Sequence, residues 1–274
     1  MTLPLTEHTG YLLRLAYEHA HAAAAAAIPE GPHPRVFGLL TALLEAGPFS
    51  QQQLADKMRV NRTLVVGIVD DLERRGWVER RREPGDRRSY QLHVTDAGRR
   101  AREDMAPKVA RANALMVERL DADERARLHE LLRAFIRSDP GRLIPAPLAD
   151  LSGFLITQAH WLARDRANEA MRDLPIEIRH YGTLVALDDL GPSSQQALTN
   201  RMQVSATTVT QVIDDLERLG LVERVRNPSD RRSYTVTMTP EGQGVLAAAR
   251  TKAEVLDLPG GDELRPLLRK LVGI

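Results

Sequence analysis

The sequence predicts a mainly α-helical chain with small β-hairpins, built from two copies of one unit. Three observations lead there. Asp86-Arg87-Arg88-Ser89-Tyr90 returns as Asp230-Arg231-Arg232-Ser233-Tyr234, an offset of 144 residues. The segments before each copy carry apolar residues at helical spacing, separated by capping and stop signals. Each copy then falls where the pattern changes from helical to alternating.

From Arg35 to Gly98 the repeat runs without a gap. The same offset aligns Arg35 with Arg179, Gly38 with Gly182, and Gly47-Pro48 with Gly191-Pro192. It also aligns Ser50-Gln51-Gln52 with Ser194-Gln195-Gln196, and the five residues from Asp70 to Arg74 with those from Asp214 to Arg218. Upstream, Gly10-Tyr11-Leu12 matches Gly153-Phe154-Leu155 at an offset of 143. A period this long means two whole domains, not a solenoid of short repeats. The expected division is 1–137, a Pro- and Gly-bearing linker at 138–148, and 149–274.

Each element follows in order. A first helix is expected from Leu5 to Ala27 and from Leu151 to Met171, its alanine-rich end suiting a helix because alanine has the highest helix propensity. A second covers Arg35 to Glu45 and stops at Gly47-Pro48. Ser50 begins Ser-Gln-Gln-Gln, a capping-box pattern that opens a third helix to Met58. Asn61 is a good N-cap for a fourth, Arg62 to Arg75, closed by Gly76. Val78, Arg80 and Arg82 then form a strand, Pro84-Gly85-Asp86 a turn, and Tyr90, Leu92 and Val94 the returning strand. Helix, turn, helix and hairpin make a winged helix-turn-helix. Further helices are expected at Asp96 to Arg119 and Asp123 to Arg137, and at Pro240 to Leu256 and Asp262 to Val272.

Composition narrows the function. With 43% hydrophobic and 27% charged residues in 274, the chain suits two ordinary globular domains. No apolar run reaches the roughly 18 residues of a membrane span, and the first ten residues lack a signal peptide's basic start and apolar core. A cytoplasmic protein of a bacterium is expected. The absence of cysteine removes disulfides, thiolate metal sites and thiol chemistry. At 4% aromatics, binding of single strands by base stacking is disfavoured, and duplex DNA remains open. No dinucleotide or phosphate loop, zinc-protease motif or nucleophile elbow is present, so catalysis is not expected. His19 and His21 lie two apart on a helix and point to different sides, so no metal or other cofactor is expected.

The wing motif resembles that of the MarR family of bacterial transcription factors: Asp-x-Arg, an alternating strand, then Thr-x-x-Gly. Here it reads Asp86-Arg87-Arg88, Leu92-His93-Val94-Thr95 and Gly98, and again Asp230-Arg231-Arg232, Val236-Thr237-Met238-Thr239 and Gly242. The segment from Asp70 to Arg80 is similar to the family's join between recognition helix and wing. Family members are commonly homodimers of about half this length, paired through their terminal helices. The resemblance therefore implies such a dimer fused head to tail: two winged helix-turn-helix domains joined by a helical pseudo-dimer core, acting as a monomer on double-stranded operator DNA. A protein-binding scaffold without DNA recognition is the competing reading, kept open by the acidic pairs Asp70-Asp71 and Asp214-Asp215.

The first turns of a recognition helix present side chains to base edges. Major-groove candidates are Asn61, Arg62, Thr63, Val66 and Gly67 in repeat one, and Ser205, Ala206, Thr207, Thr210 and Gln211 in repeat two. Val65, Ile68, Val69 and Leu72, with Val209, Val212, Ile213 and Leu216, are expected to face the core. The wing candidates for the minor groove are Asp86, Arg87, Arg88, Asp230, Arg231 and Arg232, with Arg88 and Arg232 favoured by the resemblance. Helix starts at Ser50, Gln51, Ser194 and Gln195 are candidates for phosphate contact. Arg62 against Ala206, and Gly67 against Gln211, imply readers that have diverged and an imperfect palindrome. The resemblance also implies a site for a small aromatic or anionic effector, with Tyr11, Tyr17, His19, His160, Trp161 and Arg164 as candidates.

Overall fold

The computed structural model describes residues 5–28, 31–83, 86–227, 230–254, 258 and 260–274. Repeat one contains α1 (Thr9–Ala27), α2 (Val36–Ala46), α3 (Gln51–Met58), α4 (Arg62–Arg74), β1 (Val78–Glu83), β2 (Asp86–Val94), α5 (Asp96–Met116) and α6 (Ala122–Arg137). Repeat two follows with α7 (Ser152–Ala170), α8 (Ile178–Leu190), β3 (Ser193–Ser194), α9 (Gln195–Met202) and α10 (Ala206–Arg218). It ends with β4 (Val222–Asn227), β5 (Asp230–Met238), α11 (Pro240–Glu254) and α12 (Gly261–Val272). Among the described residues no helix is long and apolar enough to cross a membrane.

Local chemistry sets most boundaries. Ser50 accepts the Gln53 N–H while Gln53 returns a bond to the Ser50 N–H at 2.8 Å, satisfying two donors that a helix start leaves open. Gly76 and Gly220 leave α4 and α10 at φ 68° and 72°, the left-handed conformation that glycine adopts without a side-chain clash. Two expectations shift. The first helix opens with a 3-10 turn at Leu5–Glu7 before α1 begins at Thr9, and α5 ends at Met116, not Arg119.

The hairpins are antiparallel, with Val78 opposite Val94 and Val222 opposite Met238. The motif threonine and glycine join each hairpin to the next helix. Thr95 Oγ1 donates to the Gly76 carbonyl at 2.6 Å and accepts from the Gly98 N–H at 3.1 Å. A β-carbon on Gly98 would lie 2.1 Å from the Trp77 carbonyl oxygen, and one on Gly242 equally close to that of Leu221. Backbone approaches backbone here, so only glycine fits.

The packing divides the chain into two compact units that cross the repeat boundary. One gathers Met1–Leu12 and Ala163–Gly261, the other Leu13–Leu162 and Asp262–Ile274. The core of the first unit joins Leu184, Val185, Leu198, Val209, Ile213, Leu216, Val222 and Val236. That of the second joins Val36, Leu40, Leu54, Val65, Val69, Leu72, Val78 and Leu92. In the second unit Arg127 pairs with Glu263 at 2.8 Å and Lys270 with Glu124 at 2.6 Å, attaching α12 to α6. The segment at 138–148 is also held there. The Arg142 side chain is fully buried and donates to the Gln158 carbonyl at 2.8 Å, and the Leu143 N–H donates to the Lys57 carbonyl at 3.1 Å.

Candidate nucleic-acid interface and ligand cavity

The two recognition helices are α4 and α10. Val65, Ile68, Val69 and Leu72 are buried, as are Val209, Val212, Ile213 and Leu216. Each such burial contributes about 1.5–3 kcal/mol, which fixes the helix's rotation about its axis. Asn61, Arg62, Thr63, Val66 and Gly67 are therefore exposed, and so are Ser205, Ala206, Thr207 and Gln211. Thr210 is half-buried.

Some of these groups are already engaged. Asn61 Oδ1 accepts from the N–H groups of Thr63 and Leu64 at 2.9 and 3.3 Å, so that oxygen caps the helix. Ser205 does the same for Thr208 at 3.1 Å. Arg62 lies 3.5 Å from Asp56 in a largely exposed pair that a guanine edge could replace. Gln195 donates to Thr210 Oγ1, which itself donates to the Ala206 carbonyl at 2.8 Å. Val66 stands at the place of Thr210 in repeat one. Gln51 there accepts from Arg80 at 3.3 Å instead, and its buried amide nitrogen has no partner among the described residues. Ser50 and Ser194 are both N-caps, accepting from Gln53 and Ala197 at 3.2 Å.

The acidic pairs serve as clamps. Arg80 on β1 reaches Asp70 at 2.9 Å and Glu73 at 2.6 Å on α4, and Arg224 makes the matching contacts to Asp214 and Glu217. Asp71 takes Arg74 and Arg75 at 2.9 and 2.7 Å. Asp215 takes Arg179 and Arg218, both at 3.0 Å. Burial alone would raise the Asp215 carboxyl, but the bond from Arg218, the His180 ring 3.6 Å away and the charge of Arg179 bring it below its ordinary value. Each of these carboxylates has an arginine partner within its own repeat, which offsets its negative charge on that face. The wing residues Asp86, Arg87, Arg88, Asp230, Arg231 and Arg232 belong to β2 and β5, and their side chains lie outside the described residues.

A cavity of about 140 Å³ lies within the second unit. Its apolar wall includes Ile28, Phe37, Met58, Met105, Met116 and Phe154, and its polar end holds Tyr17, His21, His33, Arg35 and Trp161. Tyr17 stacks on His160 with ring centres 4.5 Å apart. Arg35 donates to the Tyr17 hydroxyl at 3.3 Å and sits 5.3 Å from the Trp161 ring centre. Of the candidate effector residues, Tyr17 and Trp161 line the cavity and His160 buttresses it. Tyr11 belongs to the first unit, where its hydroxyl donates to the Arg201 carbonyl at 3.3 Å. His19 is exposed and Arg164 half-buried, and neither lines the cavity. His33 and Arg35 were not among the sequence candidates. The signal available was Arg35 itself, kept at the matching place as Arg179.

The MarR family profile matches residues 34–90 and 176–234, once in each repeat. The repressor NicR of Pseudomonas putida is 34% identical over 136 residues, covering 49% of this chain and 86% of NicR. The transcriptional repressor MprA of Escherichia coli is 29% identical over 84 residues, covering 31% of this chain and 48% of MprA. Among solved structures, CouR of Rhodococcus jostii bound to p-coumaroyl-CoA is 26% identical, covers 40% of this chain and 77% of its own, and has a TM-score of 0.37. With two family matches at the repeat spacing, and a relative matched over most of its length, this chain belongs to the MarR family of DNA-binding transcriptional regulators.

Proposed function

We propose that the chain is a sequence-specific repressor that binds one operator as an intramolecular pseudo-dimer, each repeat reading one half of an imperfect palindrome. The observation that carries this reading is the pair of recognition helices, each with its apolar face buried and its reading face open. Their reading residues differ at Arg62 and Ala206, Val66 and Thr210, and Gly67 and Gln211, so the preferred half-sites differ as well. A homodimer has no such freedom. The names of NicR and MprA support repression over activation. Arginine partners for Asp70, Asp71, Asp214 and Asp215 support DNA reading over a protein-binding scaffold, because the acidic pairs are neutralised within each repeat. The 1–137 and 149–274 repeats are the two reading domains in this proposal, working in the bacterial cytoplasm. The cavity beside Tyr17, Arg35 and Trp161 is the proposed effector site, and an effector acts by favouring one conformation over another.

The test is a mobility shift on the intergenic DNA beside the coding sequence, with the mass of the complex measured. One chain per operator, with affinity falling steeply as salt rises, is expected. Two chains per operator would overturn the pseudo-dimer, and no shift on any upstream DNA would overturn operator binding.

A further inference from the structure

The fifth residue of each recognition helix, Val66 in α4 and Thr210 in α10, differs in identity but not in what it leaves for a base. Thr210 Oγ1 donates its only proton to the Ala206 carbonyl at 2.8 Å. It also accepts from the side-chain amide of Gln195 at the start of α9, which reaches the same carbonyl at 3.4 Å. A hydroxyl held this way has no proton to give to guanine O6, adenine N7 or thymine O4. What Thr210 still offers a base edge is its methyl group.

Repeat one reaches the same chemistry by another route. Val66 is 46% exposed, an open apolar side chain on the reading face. Valine offers no acceptor to Gln51, the counterpart of Gln195. Gln51 Oε1 takes a bond from Arg80 at 3.3 Å instead, and its buried amide nitrogen has no partner among the described residues. An unpaired buried donor lowers stability, and a threonine at 66 would supply the acceptor that Thr210 supplies in repeat two. Valine and threonine have nearly equal helix propensity, so helix formation gives no reason for the valine. An exposed apolar group that leaves a neighbouring amide unpaired is explained if it meets an apolar partner on DNA. In the major groove that partner is the 5-methyl group of thymine.

We propose that Val66 and Thr210 each read the 5-methyl group of one thymine, so that the two half-sites share a thymine at the corresponding position. This inference rests on the operator reading above and divides each reading face in two. Arg62 against Ala206, and Gly67 against Gln211, make the half-sites differ, while residues 66 and 210 hold a base in common. Gln195 keeps the Thr210 hydroxyl engaged, and repeat one dispenses with the hydroxyl altogether.

The test is an anisotropy titration of the full chain on operator duplexes whose thymines are replaced one at a time by deoxyuridine, which removes only the methyl. In each half-site one replacement should weaken binding about fourfold, the worth of one buried methyl. Thr210→Ser keeps the hydroxyl but lacks the methyl, so it should abolish the effect in the repeat-two half-site alone. Val66→Ala should abolish it in the repeat-one half-site alone. Val66→Thr and Thr210→Val should each still prefer thymine to deoxyuridine. The melting temperature should rise in Val66→Thr, where Gln51 gains an acceptor, and fall in Thr210→Val, where Gln195 loses one. Binding that ignores deoxyuridine at every thymine would overturn the proposal, as would a penalty that survives both Thr210→Ser and Val66→Ala. A lower melting temperature in Val66→Thr would overturn the account of Gln51. If no upstream DNA is bound at all, the operator reading fails and the thymine reading falls with it; bound DNA without a deoxyuridine effect sinks the thymine reading alone.

Discussion

Arg80 on the first strand of the wing reaches back to Asp70 on the recognition helix at 2.9 Å, and Arg224 makes the same reach to Asp214 in the second copy. The glutamate one turn further on, Glu73 or Glu217, completes each clamp. In the proposed operator complex the wing and the reading helix meet two grooves at a fixed angle, and these ion pairs oppose their relative rotation. Arg80 is about one-third exposed and Asp70 about half, so the clamp is worth more as a positioning contact than as a source of stability.

Arg80→Met is expected to lower the unfolding free energy by no more than about 1 kcal/mol, because partly exposed ion pairs contribute little. Operator affinity should fall several-fold in the same variant. Urea denaturation beside an anisotropy titration checks both. A large loss of stability with unchanged affinity would mean that the clamp is structural alone.

Glycines of this chain predict opposite signs. Gly98→Ala should destabilise by about 2 kcal/mol or more, since its β-carbon would meet the Trp77 backbone oxygen at 2.1 Å. Gly67→Ala should stabilise by about 0.5–1 kcal/mol, because Gly67 lies inside α4 with nothing within 4 Å of the added carbon. Thermal melts of the two variants decide this. If Gly67→Ala also loses operator affinity, the DNA backbone or a base edge approaches closely there.

Arg62→Ala should cost about 1–3 kcal/mol of operator affinity, and only on probes whose repeat-one half-site is intact. Gln211→Ala should show the reverse dependence. Equal losses on both probe types would show that the halves are not read by separate repeats.

Stability should fall as the pH drops below neutrality. Burial pushes the pKa of His180 down, with the Arg179 charge adding to it, against the opposing pull of Asp215 and Glu177. Burial likewise lowers His33 and His129. For a base whose folded pKa is depressed, the unfolded chain takes up the proton first. The stabilisation is therefore full above the ordinary value of 6.5 and is lost as the pH falls through the depressed folded value. Repeat one carries Val36 at the place of His180, so His180→Val is expected to flatten the slope. Melting temperatures at pH 7.5 and pH 5.5 measure it, and an unchanged slope would exclude His180 as a source.

The sequence alone determined the order of helices and hairpin strands in both repeats, though not the short strand β3, and also the capping of α3 and α4, the glycine exits, and which side of each recognition helix is buried. These are short-range matters. A hydrogen bond spanning three or four residues and a 3.6-residue period leave their mark in adjacent positions. Only the tertiary structure decided that Met1–Leu12 packs with the repeat-two unit, that 138–148 is held through Arg142, and that Asp70 and Asp214 clamp the wings. It also decided that Tyr11 and Tyr17, six residues apart on one helix, serve different units. Arg35 and Arg179 are the same residue at the same place in the repeat. Their partners are set by side chains that folding brings near, Tyr17 and Trp161 for one and Glu177 and Asp215 for the other. A guanidinium's role depends on which charge or ring reaches it, and three of those four groups lie 18 to 126 residues away along the chain.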